Sequence, residues 1–188
     1  PSGNPTADRQ DTNIQIVTAD AGLPENTGCK NNTFMGKDIA KINTATGGKN
    51  TIMGSEAGMN LTSSGNSCLI GGGAGRVLTG GAQNTLIGAE CGPALAGGKD
   101  NTMVGYKVAE NIVSGVNNVL MGRNAGQYLN AASNGNLCLG RSAGPNALTT
   151  QSNRVYIDAS SPAAGTPQPQ GESSLIYGQQ NDNSQNFL

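Results

Sequence analysis

The chain has 188 residues, enough for one domain of ordinary size, with 11 Lys and Arg against 12 Asp and Glu and neither His nor Trp. A net charge of -1 excludes a general attraction to nucleic acid, and no stretch approaches the roughly 18 uninterrupted apolar residues of a membrane span. Aromatic residues are 3% and charged residues 12%, too few large side chains for a conventional globular core.

The first segment, residues 1–30, is read as an entry or cap. Pro1-Ser2-Gly3-Asn4-Pro5 resembles neither a signal peptide nor an initiator Met, and is expected to begin a fragment or a processed chain. Asn13-Ile14-Gln15-Ile16-Val17-Thr18 alternates like a strand and is expected to be a degenerate first coil or a cap.

Residues 31–158 carry a repeat. Glycines closing an N-T-x-x-G element fall at Gly36, Gly54, Gly71, Gly88, Gly105, Gly122 and Gly140, with successive spacings of 18, 17, 17, 17, 17 and 18. Asp158 stands another 18 on, in the place of an eighth glycine. A fixed short period means one supersecondary unit stacked on copies of itself.

The columns say what that unit is. Four before the glycine stand Asn32, Asn50, Ser67, Asn84, Asn101, Asn118 and Asn136. The next three positions are apolar or Thr in every copy, as in Thr85-Leu86-Ile87. Such a triplet, bounded by Asn and Gly, is too short for a helix and predicts a short strand. Three or four after the glycine comes a small pair such as Ala57-Gly58 or Cys91-Gly92, and seven after comes Leu61, Leu78, Leu95, Ile112 or Leu129, with Leu148 one late. Two short strands or bends per period, separated by turns, predict an all-β parallel β-solenoid with coils stacked about 4.8 Å apart. An inward Asn column is then expected to form a hydrogen-bonded ladder.

Side chains alternate across a strand, so positions three and one before the glycine share a face and position two points the other way. Both faces are apolar. One closes on the chain's own coil, and the other needs cover. The position-two column, Phe34, Ile52, Leu69, Leu86, Met103 and Leu120, is expected to be the contact between identical chains packed side by side.

Residues 159–188 hold Pro162, Pro167 and Pro169 among many Gln, Ser and Asn, and are expected to form an extended connector. Within it Ser174-Leu175-Ile176-Tyr177-Gly178 predicts one more strand. Of the cysteines, Cys68, Cys91 and Cys138 occupy columns otherwise filled by Thr, Ala and Leu, and are read as small hydrophobes rather than as a disulfide or metal set. Cys29 lies in the less regular entry segment.

The element N-T-x-x-G-x-x-A-G, as in Asn50-Thr51-Ile52-Met53-Gly54-Ser55-Glu56-Ala57-Gly58, resembles the shaft repeats of viral and phage tail fibres that precede an endosialidase-type chaperone domain. Asn153-Arg154-Val155-Tyr156-Ile157-Asp158 followed by Leu175-Ile176-Tyr177-Gly178 is similar to the junction just upstream of that chaperone. A more distant resemblance is to the β-roll head of trimeric autotransporter adhesins. These resemblances imply a homotrimer, extracellular on a virion, that spaces or displays a surface for a host-cell glycan or protein receptor. No cofactor is expected, and no metal, since the chain has no C-x-x-C and no His.

The best candidate binding surface is the turn row after the anchor glycines, where Tyr106, Lys107, Arg123 and Arg141 follow in three successive coils. Such a strip could hold an anionic glycan, but is read first as a solvated turn row whose charge keeps the rod soluble. No catalytic set is expected. The chain lacks the His base and the even six-residue aliphatic spacing of a hexapeptide acyltransferase, and a glycan-degrading tailspike would have to use Glu56 and Glu90, two coils and so about 10 Å apart. An ice-binding solenoid is a further alternative, through Thr33, Thr51, Thr85 and Thr102. That column is interrupted by Cys68, Val119 and Leu137, and is expected to point inward.

Overall fold

The computed structural model describes residues 14–17, 31–39, 47–145, 147–157 and 176–179. The described residues are all-β. One sheet takes the strands in chain order: β1 (Ile14–Val17), β2 (Thr33–Gly36), β3 (Thr51–Met53), β4 (Cys68–Ile70), β5 (Thr85–Ile87), β6 (Thr102–Val104), β7 (Val119–Met121), β8 (Leu137–Leu139), β9 (Arg154–Ile157) and β10 (Ile176–Gln179). Strands β1 to β9 are parallel to their neighbours, with each residue opposite its counterpart one coil away, as in Thr85↔Thr102, Leu86↔Met103 and Ile87↔Val104. This is the parallel β-solenoid that the repeat predicts. The ladder begins earlier than residue 31, because β1 pairs in parallel with β2, Ile14 opposite Thr33. It ends in a reversal: β10 runs antiparallel to β9, with Ile176 opposite Ile157. Asp158 and Cys29 lie outside the described residues.

The core is one continuous column running through the coils. It is made of Phe34, Ile52, Leu69, Leu86, Met103, Leu120, Cys138 and Tyr156 from the strands. Leu61, Leu78, Leu95, Ile112 and Leu129 face them from the second side, and the small Ala57, Ala74, Cys91, Ala125 and Ala143 fill the corner. This corrects the sequence expectation at six positions. Phe34, Ile52, Leu69, Leu86, Met103 and Leu120 are 0–1% exposed inside their own chain, so they cannot be the contact between chains. The alternation was right and the side was wrong. Both faces are apolar, and only the direction in which the chain closes decides which is inside. Leu148 is the other departure. At 60% exposed it does not continue the second-side column, whose last buried member among the described residues is Leu129.

Why the coils stack so closely is visible at Gly88. Its φ is +132°, and a Cβ placed there would stand 2.2 Å from the carbonyl oxygen of Gly105. The anchor glycines are required because backbone meets backbone at that corner. The corner before each strand works differently. Its left-handed residue is mostly polar rather than glycine: Asn31, Lys49, Asn66, Gln83, Asp100, Asn117 and Asn153 all have φ between 55° and 62°. Asn and Asp tolerate that region best, while Lys and Gln hold it at a strain of about 1 kcal/mol.

Immediately after that corner lies the Asn column, buried and hydrogen-bonded as expected. The N–H of Asn101 and its Nδ2 both donate to Oδ1 of Asn84, at 3.1 and 3.0 Å. Nδ2 of Asn101 also donates to the carbonyl of Gly115 at 2.8 Å. The pattern repeats at Asn118 and Asn136. Ser67 interrupts it. Its Oγ accepts from the Asn84 N–H at 3.2 Å and lies 3.2 Å from Ser64 Oγ, so a pair of hydroxyls stands where a single amide stands elsewhere.

Candidate functional site

With position two inside, positions three and one before the glycine form the outward face of the sheet. From β2 to β9 the first of these columns reads Thr33, Thr51, Cys68, Thr85, Thr102, Val119, Leu137 and Val155. The second reads Met35, Met53, Ile70, Ile87, Val104, Met121, Leu139 and Ile157. All sixteen side chains are half-buried or exposed, with Met35 at 38%, Val119 at 38% and Met121 at 43%. None is charged. Its polarity changes along the rod: the first five coils carry four Thr, and the last three carry none.

This geometry bears on two columns whose direction the sequence left to inference. The Thr column faces out, not in, which corrects the expectation for Thr33, Thr51, Thr85 and Thr102. Cys68 shares that outward column and is half-buried. Cys91 and Cys138 sit inside, and burial pushes both thiols from the ordinary 9.0 up to about 12. A thiol held in that state is a poor nucleophile and a packing group.

One rim of the outward face is the turn row after the anchor glycines. The structure brings three of the four sequence candidates together. Tyr106 is 44% exposed, with Lys107 Nζ 5.7 Å and the Arg123 guanidinium carbon 5.8 Å from its ring centroid. Lys107 also lies 3.6 Å from Glu90 Oε2 on the preceding coil. Arg141 is exposed one coil beyond Arg123. The cluster therefore has two cations on one aromatic ring, and Glu90 offsets part of their charge. Glu56 and Glu90 occupy the same turn column, both at positive φ, with Gly73 between them. Glu90 is thus engaged with a lysine.

Sequence reasoning weighed the Thr column as a surface only for ice binding and placed the Thr-and-aliphatic face inside. A signal was present in its composition, since a column holding Thr in four of five coils accepts water more readily than one holding only Phe, Ile, Leu, Met and Cys. No family model, curated protein or solved structure matches the chain.

Proposed function

We propose that this protein is a structural rod, a segment of a viral tail fibre that associates side by side with identical chains and carries a host-binding surface. The observation that supports it is the outward sheet face. It is uncharged over eight strands although the chain fills its core without it. Eight strands about 4.8 Å apart and three residues of about 3.3 Å give a strip near 34 by 10 Å, or about 340 Å². That matches the largest apolar patch of a typical monomer. It is under half of the roughly 800 Å² per partner of a stable pair. Flanking rows other than the Tyr106 rim must then take part, as they do when each chain touches two neighbours in a closed ring. The number three comes from the resemblance to fibre shafts. Display in three copies lets weak receptor sites add through effective concentration. The rim of Tyr106, Lys107, Arg123 and Arg141 is the surface we assign to a host glycan.

The test is absolute mass by light scattering after gel filtration. Three times 18.9 kDa is expected for the wild type, and a lower mass for Ile87→Asp and Met121→Asp with strand content unchanged. A wild type at 18.9 kDa over the whole concentration range would overturn the reading.

A second reading is favoured by one observation, the outward direction of Thr33, Thr51, Thr85 and Thr102 on an uncharged sheet face. Hydroxyls and methyls in four of five coils about 4.8 Å apart form the kind of surface that can order water as ice does. Thermal hysteresis in a monomeric protein, lost in Thr85→Lys, is the result that would put this reading first.

A further inference from the structure

Nine strands of this ladder are parallel and keep one register from end to end. Such a stack is complementary to itself. The edge of β9 offers the same row of backbone groups to a following coil that β8 offers to β9, and β1 offers the matching row at the other end. Among the described residues no strand pairs with the free edge of β1. Left alone, the two ends fit together as one coil fits the next, and a head-to-tail contact of that kind does not close on itself.

The β9 edge is not left alone. β10 returns along it in the opposite direction, pairing Ile176 with Ile157 and Gln179 with Arg154. Antiparallel pairing uses alternating close and wide pairs of perpendicular bonds, whereas parallel pairing uses evenly spaced slanted ones. A coil that follows β9 in parallel cannot occupy an edge already taken by β10, nor continue the parallel pattern on its far side. The Asn ladder finishes at the same level, with the Arg154 N–H donating to Oδ1 of Asn136 at 3.2 Å.

We propose that β10 is a terminator: it blocks end-to-end growth of the solenoid by occupying the β9 edge that the β1 strand of a second copy would otherwise take. This surface is at the β9 edge of the described ladder, separate from the side-by-side face, and does not rest on the fibre reading.

The experiment keeps the full chain and removes the cap by replacing two adjacent strand residues, Ile176→Pro and Tyr177→Pro together. Proline has no N–H to donate, and two in succession remove both the inward and the outward donor. Mass is followed by sedimentation against concentration, and particle length by electron microscopy. The wild type is expected to show one mass and one length. The double variant is expected to lengthen in whole multiples of the rod at unchanged width. Adding Gln15→Pro and Ile16→Pro, which disable β1, is expected to return it to a single length. Growth that persists with β1 disabled would overturn the proposal, as would a double variant that keeps wild-type length at high concentration. So would a wild-type pair joined end to end that the double variant dissolves, because β10 would then be a joint. Should the double variant lose its strand signal, Gly178→Pro alone carries the same three outcomes with a smaller perturbation.

Discussion

Asn118 directs two donors, its backbone N–H and its side-chain Nδ2, at a single atom, Oδ1 of Asn101, at 3.0 Å each. The left-handed residue before each Asn turns the chain out of the sheet, so the Asn N–H lies before the first backbone bond of the strand ladder. The amide of the preceding coil supplies the missing acceptor, and its own Nδ2 satisfies a carbonyl at the next corner. Asn101→Ala removes an acceptor for two buried donors and a donor for the Gly115 carbonyl. At about 1–3 kcal/mol per stranded group, with partial relaxation, a loss of about 3 kcal/mol is expected in urea unfolding. Ser67→Asn should act the other way, restoring the amide step and raising the midpoint. A midpoint unchanged in Asn101→Ala would mean that the ladder is decorative.

Gly88→Ala is expected to destabilise by at least about 3 kcal/mol, because its Cβ meets the Gly105 carbonyl at 2.2 Å and its backbone stands at φ +132°. Gly97→Ala is the control. It is exposed, and a Cβ there meets nothing within 4 Å. Thermal melts of the pair separate a need for space from a general aversion to losing glycine.

Neighbouring residues Leu86 and Ile87 should part company when changed to Asp. Leu86→Asp buries an unpaired carboxylate in the chain's own core and is expected to unfold it, at about 4 kcal/mol or more. Ile87→Asp places the charge on the outward face and is expected to leave strand content intact, within about 1 kcal/mol for the single chain, while lowering the mass of the assembly. Circular dichroism and light scattering on the same samples read the two effects separately. If both variants unfold alike, the outward face is not an independent surface.

Cys91 and Cys138 make stability fall with rising pH. Their folded values are raised to about 12 from an ordinary 9.0, so the contribution is fully present below pH 9. Between about pH 9 and 12 the unfolded state has released its thiol protons while the folded state keeps them, and the slope is negative, about 1.4 kcal/mol per pH unit for each thiol. The Cys91→Ala and Cys138→Leu double variant takes the residues that other coils use in those columns, and should flatten this limb in urea midpoints measured from pH 8.5 to 10.5. In the folded wild type, a thiol reagent at pH 8 should react with Cys68 far faster than with Cys91 or Cys138.

Much of this protein could be read from one line of letters. The 17- to 18-residue period, the three-residue strands, the inward Asn column and the Ala-Gly corner follow because a stacked fold places like residues in like environments. Each column then reports its own surroundings several times over. Leu148 shows the limit: it stands one place late and is 60% exposed, so the column does not hold it inside.

What only the tertiary structure decided is direction. Leu86 and Ile87 are both aliphatic, and alternation says that they part without saying which goes in. That is settled by the side on which the Leu78 and Leu95 columns close the coil, a contact between segments that no local pattern contains. The same holds for the Thr column, turned outward, and for the corners at Lys49 and Gln83, where stacking imposes a left-handed backbone that those residues do not prefer. It holds again for β10, since a lone strand has no direction until it meets the edge it pairs with.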